Sequence, residues 1–301
     1  MTTPRKLSTH PCAGLALTLA GLGAATAQTT TPTTTEVAAP DADGNIPGVA
    51  PPLWTAGLFM VAADHPVYPG AERRAQSATV LPFITWRGPI FRVESGSAGL
   101  RALRTPRAEL DFSAAASFGS DGRDSGAREG MPAIGTLVEI GPSLRINLGE
   151  LRDDGKRPPL RLDLPLRAVF DADRDLEFAG ASFEPRVTWR LPGVAGWNPS
   201  VYGGLMFGNR ALNQMYYGVE PIYATETRPA YEAHSGLVAT RLGTSWARML
   251  GRDWRLALHA SVETVKGSAN RDSPLIGRTV DHTLAISLTW TAFRSEERGV
   301  E

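Results

Sequence analysis

Apolar and polar side chains alternate along most of this chain with a period of two. The clearest case is Pro159–Asp171, P-L-R-L-D-L-P-L-R-A-V-F-D. Leu160, Leu162, Leu164, Leu166, Ala168 and Phe170 fall on one face of an extended strand, while Arg161, Asp163, Pro165, Arg167 and Asp171 fall mostly on the other. Successive strand side chains point to opposite faces, so the segment is a ribbon with one apolar and one charged surface. In a soluble sandwich the apolar face would meet a second sheet. In an outer-membrane barrel it would meet lipid, with the charges lining the lumen.

The same pattern predicts strands over Pro52–Ala62, Ala78–Trp86, Pro106–Phe118, Thr136–Gly149, Ala181–Leu191, Val201–Gly208, Gly236–Met249, Asp253–Val262 and Thr283–Phe293. Weaker runs lie near Ile90–Leu103 and Met215–Ala224. Between them, 31 glycines and 23 prolines cut the chain into short segments, which suits many strands and few helices. The connections alternate in length. A compact turn at Asp153-Asp154-Gly155-Lys156 contrasts with long polar loops at Ser120–Met131, Ala211–Tyr231 and Ser268–Thr279. Short turns on one rim and long loops on the other mark a membrane barrel, for which an even strand number is expected. The expected fold is therefore all-β, a closed antiparallel transmembrane β-barrel of about 10–12 strands spanning residues 52–293.

The amino terminus points the same way. Arg5 and Lys6 precede an apolar stretch, Cys12–Ala27, that ends in Ala25-Thr26-Ala27. That is a basic start, an apolar core and a small-x-small cleavage pattern, so residues 1–27 read as a signal peptide. The core is too short to span a bilayer as a helix. The only cysteine, Cys12, lies inside this segment, so the mature chain would form no disulfide. Residues 28–51 are Thr/Pro-rich without apolar periodicity and read as a disordered tether.

Charge adds an exclusion. The chain carries 31 basic and 31 acidic side chains, and cleavage of the leader would leave a net charge of about −2, with no basic stripe of the kind nucleic-acid binding needs. Seven tryptophans, Trp54, Trp86, Trp189, Trp197, Trp246, Trp254 and Trp290, sit mostly near strand ends, where amphipathic rings meet headgroups. At the carboxyl end Leu284, Ile286, Leu288 and Trp290 alternate cleanly, but Phe293 breaks the parity and residues 294–301 form a charged tail. Either Trp290 is the closing aromatic, or a bulge brings Phe293 into line.

Candidate chemistry is sparse. His234 and Ser235 are adjacent, so they point to opposite faces in a regular strand. No G-x-S-x-G elbow, metal-ligand spacing or phosphate-binding loop occurs, and neither catalytic residues, nor a metal, nor a cofactor is expected. The inward charges Glu139, Arg145, Arg161, Asp163, Arg167, Glu184, Arg186 and Arg190 have two readings: they could line a narrow pore, or pair across strands and fill the lumen.

Several phrases resemble the MltA-interacting protein / OmpV family of outer-membrane proteins. Pro66-Val67-Tyr68-Pro69-Gly70 is followed by Leu81-Pro82-Phe83-Ile84-Thr85-Trp86-Arg87; Gly130-Met131 leads to Glu139-Ile140-Gly141-Pro142; then come Tyr216-Tyr217-Gly218-Val219, Tyr231-x-Ala233-x-x-Gly236-Leu237 and Asp272-Ser273-Pro274-Leu275-Ile276. The resemblance implies a closed barrel in the outer membrane of a Gram-negative bacterium, in contact with its lipid. It also implies a non-enzymatic scaffold joining a lytic transglycosylase to a murein synthase in peptidoglycan synthesis, with a surface adhesion protein as an alternative within the family. A narrow channel for small solutes is the alternative that the charged inner face offers.

Overall fold

The computed structural model describes residues 51–87, 91–94, 97–100, 103–105, 107–117, 126–149 and 159–299. The expected signal peptide, nearly all of the tether, the Asp153–Lys156 turn and the first half of the Ser120–Met131 loop lie outside them. The described residues all fall within one compact unit, residues 38–301.

The strands are β1 (Trp54–Pro66), β2 (Arg74–Arg87), β3 (Phe91–Glu94), β4 (Ser97–Leu100), β5 (Leu103–Arg104), β6 (Ala108–Ser117), β7 (Leu137–Leu148), β8 (Leu160–Asp171), β9 (Glu177–Phe183), β10 (Arg186–Arg190), β11 (Asn198–Gly208), β12 (Gly236–Met249), β13 (Trp254–Thr264) and β14 (Val280–Arg294). Among the described residues, one helix, α1 (Arg210–Tyr217), and a single 3-10 turn (Pro221–Tyr223) interrupt them. All fourteen strands join one sheet in the order β4-β3-β2-β1-β14-β13-β12-β11-β10-β8-β7-β6-β5, with β9 between β8 and β11. Every pairing is antiparallel. β9 and β10 are two halves of one strand. Across the break, Glu184 N–H still donates to Pro165 C=O at 3.2 Å and Pro185 C=O accepts from Leu205 N–H at 3.0 Å. The interruption has a simple cause: Pro185 has no N–H for the ladder.

The ten clear runs of alternation are all strands, with ends displaced by a few residues. Ile90–Leu103 becomes the short β3, β4 and β5. Met215–Ala224 is a correction, because it holds the end of α1 and the 3-10 turn rather than a strand. The buried residues of α1 are Leu212, Asn213, Tyr216 and Tyr217. The pairs Leu212/Tyr216 and Asn213/Tyr217, each spaced by four, share one helical side, whereas a strand would set the adjacent Tyr216 and Tyr217 on opposite faces. Asn209 starts the helix, its side chain accepting from Leu212 N–H at 3.0 Å, as an N-cap should.

The faces follow the sequence pattern. β8 sets Leu162, Leu164 and Leu166 opposite Ile146, Leu144 and Phe183, all on the outer face. Arg161, Asp163 and Arg167 stand opposite Asn147, Arg145 and Ser182 on the inner face. Outer apolar side chains stay uncovered, with Leu242 66% and Val80 59% exposed. A soluble sandwich would have buried them against a second sheet.

The two ends of the described chain lie at the same end of the sheet, where Trp54 N–H donates to the Ser295 hydroxyl at 3.0 Å and Leu53 N–H to Glu297 C=O at 2.8 Å. Residues 295–299 therefore run beside residues 51–54 instead of leaving the body as a free tail. β1 pairs β14 with a register shift between Ala56 and Gly57: Gly57 opposes Thr291 and Ala56 opposes Phe293. This bulge returns Phe293 to the outer face with Trp290, which is the second of the two sequence readings. It requires glycine, since a Cβ on Gly57 would sit 1.8 Å from the Trp290 carbonyl oxygen.

The seven tryptophans all gather toward the terminal end. Trp54 opposes Trp86, and Trp254 stacks on Trp290 at 5.8 Å. Trp189, Trp197 and Trp246 flank the β10–β11 and β12–β13 turns. Toward the other end the outer face carries phenylalanines instead, as the pairs Phe170–Phe178 and Phe183–Phe207.

Candidate functional site

At the end opposite the termini, four connections fold over the sheet as a cap: residues 67–73, 126–136, 209–235 and 265–279. Their buried side chains join the top of the inner face in one cluster that includes Tyr68, Leu212, Tyr216, Tyr217, Val219 and Leu275. Three tyrosine rings form its centre. Tyr68 stacks on Tyr216 at 6.4 Å, and Tyr217 meets Tyr68 and Tyr216 edge-on at 6.3 and 6.0 Å.

Hydrogen bonds tie each loop to the next. The Tyr68 hydroxyl donates to Leu275 C=O at 2.7 Å, and the Tyr217 hydroxyl to Pro69 C=O at 2.9 Å. The Ser273 hydroxyl donates to Tyr217 C=O at 2.7 Å. Gly70, at φ +84, accepts from both Gly277 and Arg278 through its carbonyl. Arg128 donates to the Met215 and Tyr216 carbonyls at the end of α1, at 3.1 and 3.3 Å, where a cation also meets the negative end of the helix dipole. Asn270 clamps the chain at His234, accepting from its N–H at 2.7 Å and donating to its C=O at 2.9 Å. Burial pushes the Tyr216 and Tyr217 phenols above the ordinary tyrosine range, and the Glu139 carboxylate adds to this for Tyr216.

The positions singled out in the sequence converge here. Pro66, Tyr68, Gly70, Tyr216, Tyr217, Gly218, Val219, Ser273 and Pro274 all belong to the cap or its seam with β1. Of these, Tyr68, Gly70, Tyr216, Tyr217 and Ser273 make contacts that join one loop to another. Asp272 differs: its side chain is exposed and pairs only loosely with Arg271 at 3.8 Å. Within the D-S-P phrase it is Ser273 that makes the contact.

Beneath the cap the inner face is charged, and the charges form ion pairs. Arg161 and Arg145 both reach Asp163, at 2.9 and 3.8 Å. Arg167 pairs with Glu139 at 3.5 Å. A chain of pairs then crosses three strand positions: Arg186 to Glu184 at 3.7 Å, Glu184 to Arg241 at 3.7 Å, and Arg241 to Glu263 at 2.8 Å. Seven of the eight candidate lumen charges take part in these pairs. Arg190, at the terminal end of β10, pairs in register with Ser200 on the same face.

Between the cap and these pairs lies a chamber of about 340 Å³, whose walls include Tyr68, Tyr216, Glu139, Glu184, Arg241 and Glu263. Arg186 lies over the Tyr202 ring at 4.8 Å, and Tyr202 stacks on His259 at 5.7 Å. Arg241, His259 and Glu263 were not singled out in the sequence. They occupy alternate, inward positions of β12 and β13, so the parity that marked Arg161 and Arg167 would have marked them too.

A family model described as MltA-interacting protein MipA matches residues 58–292. The chain belongs to the MipA family. The match runs from β1 to the end of β14, so the MipA family region includes the sheet and all four cap loops. No curated relative matches the chain. Among solved structures, one described as a bacterial polysaccharide outer membrane secretin aligns with a TM-score of 0.41 at 10% identity, covering 80% of this chain and 99% of that one.

Proposed function

We propose that the chain is an exported outer-membrane barrel that serves as a docking protein for a lytic transglycosylase of the murein machinery. The observation that carries the partner is the family match over residues 58–292, since the family description names an interaction with MltA. Several features support the membrane reading. The uncovered apolar outer face and tryptophan-rich rim suit lipid and headgroups. Strands of 12 to 15 residues such as β8 and β14 exceed the ~10 residues that a tilted strand needs to cross. β4 and β5 end the sheet path, yet only Arg101 and Ala102 separate them in the chain, which favours a closed barrel.

In such a barrel the short-turn end, with both termini, faces the periplasm and the long-loop end faces outward. The transglycosylase, and a murein synthase with it, would then dock on the terminal rim and the tether rather than on the cap. The inner face, filled with ion pairs and roofed by the cap, favours a structural barrel over a conducting channel. No enzymatic step is assigned.

The test is affinity capture with full-length protein extracted in mild detergent. Recovery of a lytic transglycosylase, lost when residues 28–50 are deleted, is the expected result. A capture that returns neither a transglycosylase nor a murein synthase removes the proposal. Fractionation checks the location: the protein belongs with the outer membrane and should migrate in a heat-modifiable way on SDS gels, whereas recovery as soluble periplasmic protein would refute the barrel.

A further inference from the structure

The Glu263 carboxylate is deeply buried, with its side chain 7% exposed, but only half satisfied. Its Oε2 accepts from Arg241 at 2.8 Å, whereas Oε1 has no hydrogen-bond partner. A buried carboxylate oxygen without a donor is costly and uncommon in native proteins. Glu263 is part of the chamber wall. Asp281 stands directly opposite it in the β13–β14 ladder. It too is buried, with Oδ1 paired to Arg74 and Oδ2 unpartnered. Two acidic side chains therefore sit side by side on one face, each one donor short.

An ionised carboxylate only accepts hydrogen bonds, so whatever satisfies these oxygens must donate. The charge around them asks for a cation. Five carboxylates, Asp64, Glu139, Glu184, Glu263 and Asp281, meet four guanidiniums here, because Arg241 is shared by Glu184 and Glu263 and Arg74 by Asp64 and Asp281, while Arg167 and Arg186 pair with Glu139 and Glu184. Glu184 already spends both oxygens on arginines, and Glu139 and Glu263 spend one each. The rings of Tyr68 and Tyr216 line the same volume. Carboxylate oxygens combined with aromatic faces recognise organic ammonium groups, through charge-assisted hydrogen bonds and cation–π attraction. The volume, about 340 Å³, lies within the range of small-molecule sites.

We propose that the chamber beneath the cap binds a small organic ammonium ion, with Glu263 Oε1 as its principal acceptor and the tyrosine rings as its apolar wall. This concerns residues of the chamber alone and stands whether or not the docking partner is a transglycosylase. The cap then has a second role besides bracing the loops, because it roofs the ligand.

A ligand this small binds weakly, so the measurement is ligand-observed saturation-transfer NMR on purified full-length protein in detergent, with n-butylammonium chloride as probe. The expected result is saturable transfer from n-butylammonium and none from sodium butanoate, which has the same chain length and the opposite charge. Glu263→Gln should weaken binding about tenfold or more, the loss of one charge-assisted hydrogen bond. Absence of saturable transfer, equal affinity in Glu263→Gln, or preference for butanoate each overturns the proposal. Heat-modifiable migration reports whether each variant folds. Should Glu263→Gln fail that check, Ser261→Leu takes its place, since it keeps every charge and puts bulk into the chamber. Unchanged affinity there also overturns the proposal.

Discussion

At the scale of single residues, the cap depends on a few polar atoms placed among apolar neighbours. Tyr217 is fully buried, and its hydroxyl holds Pro69 C=O at 2.9 Å. Tyr217→Phe keeps the ring and leaves that carbonyl without its donor, a change that costs about 1–2 kcal/mol. The expected readout is faster proteolysis within residues 209–235 with an unchanged strand signal in circular dichroism; equal protease resistance would show that the bond contributes nothing. The raised phenols of Tyr216 and Tyr217 give the cap an alkaline limit. In the unfolded chain a tyrosine ionises near 10.0, and in the cap it ionises higher. The stability this provides is complete below pH ~10 and is lost as pH climbs toward the folded value. Tyrosinate absorbance should therefore rise in two phases, exposed rings first and the cap pair later with loop release. Gly57 is decisive for a different reason. Gly57→Val would drive a side chain into the Trp290 carbonyl at the β1–β14 bulge, so the variant is expected to lose heat-modifiable migration.

At the scale of elements, the two faces of β8 make opposite demands. Leu164 lies mid-strand on the outer face, opposite Leu144. Leu164→Arg should cost about 2–4 kcal/mol if that face meets the bilayer midplane, read as a lower denaturant midpoint after refolding into lipid. Arg161→Leu, on the other face, disturbs an ion pair with Asp163 instead and should leave membrane insertion intact. A period of two is legible wherever one face is apolar, which is why the ten clear runs correspond to strands. α1 escaped that reading because its signal is a pair of adjacent aromatics, Tyr216-Tyr217, both buried. Only helical geometry puts neighbours on one side. The cap phrases were visible as words but not as a site, since nothing in the chain says that the Tyr68 hydroxyl reaches Leu275 C=O or that the Ser273 hydroxyl reaches Tyr217 C=O. The chamber was half legible: parity selected Glu139, Glu184 and Arg186 and would have selected Arg241 and Glu263 as well, but only the β12–β13 register shows that those two pair.

At the scale of the whole molecule, the proposed barrel has the described charges of its inner face mostly paired and a cap over one end. Planar-bilayer recordings of the full protein should show no steady conductance. Replacing residues 210–233 with a short Gly/Ser linker should raise it, because the largest loop of the roof is then gone; open traces from the intact protein would contradict the filled interior. The distribution of aromatic side chains has a mechanical consequence. Indole N–H groups hydrogen-bond at the headgroup level and fix the depth of a rim, and all seven indoles are at the terminal end. The phenylalanine pairs near the cap have no such donor. When the bilayer thickens or thins, the mismatch is taken up at the phenylalanine side, with the tryptophan rim as the fixed reference. In the proposed barrel the roof would then ride higher or lower over the outer surface as the membrane changes, while the terminal rim, where docking is proposed, keeps its depth.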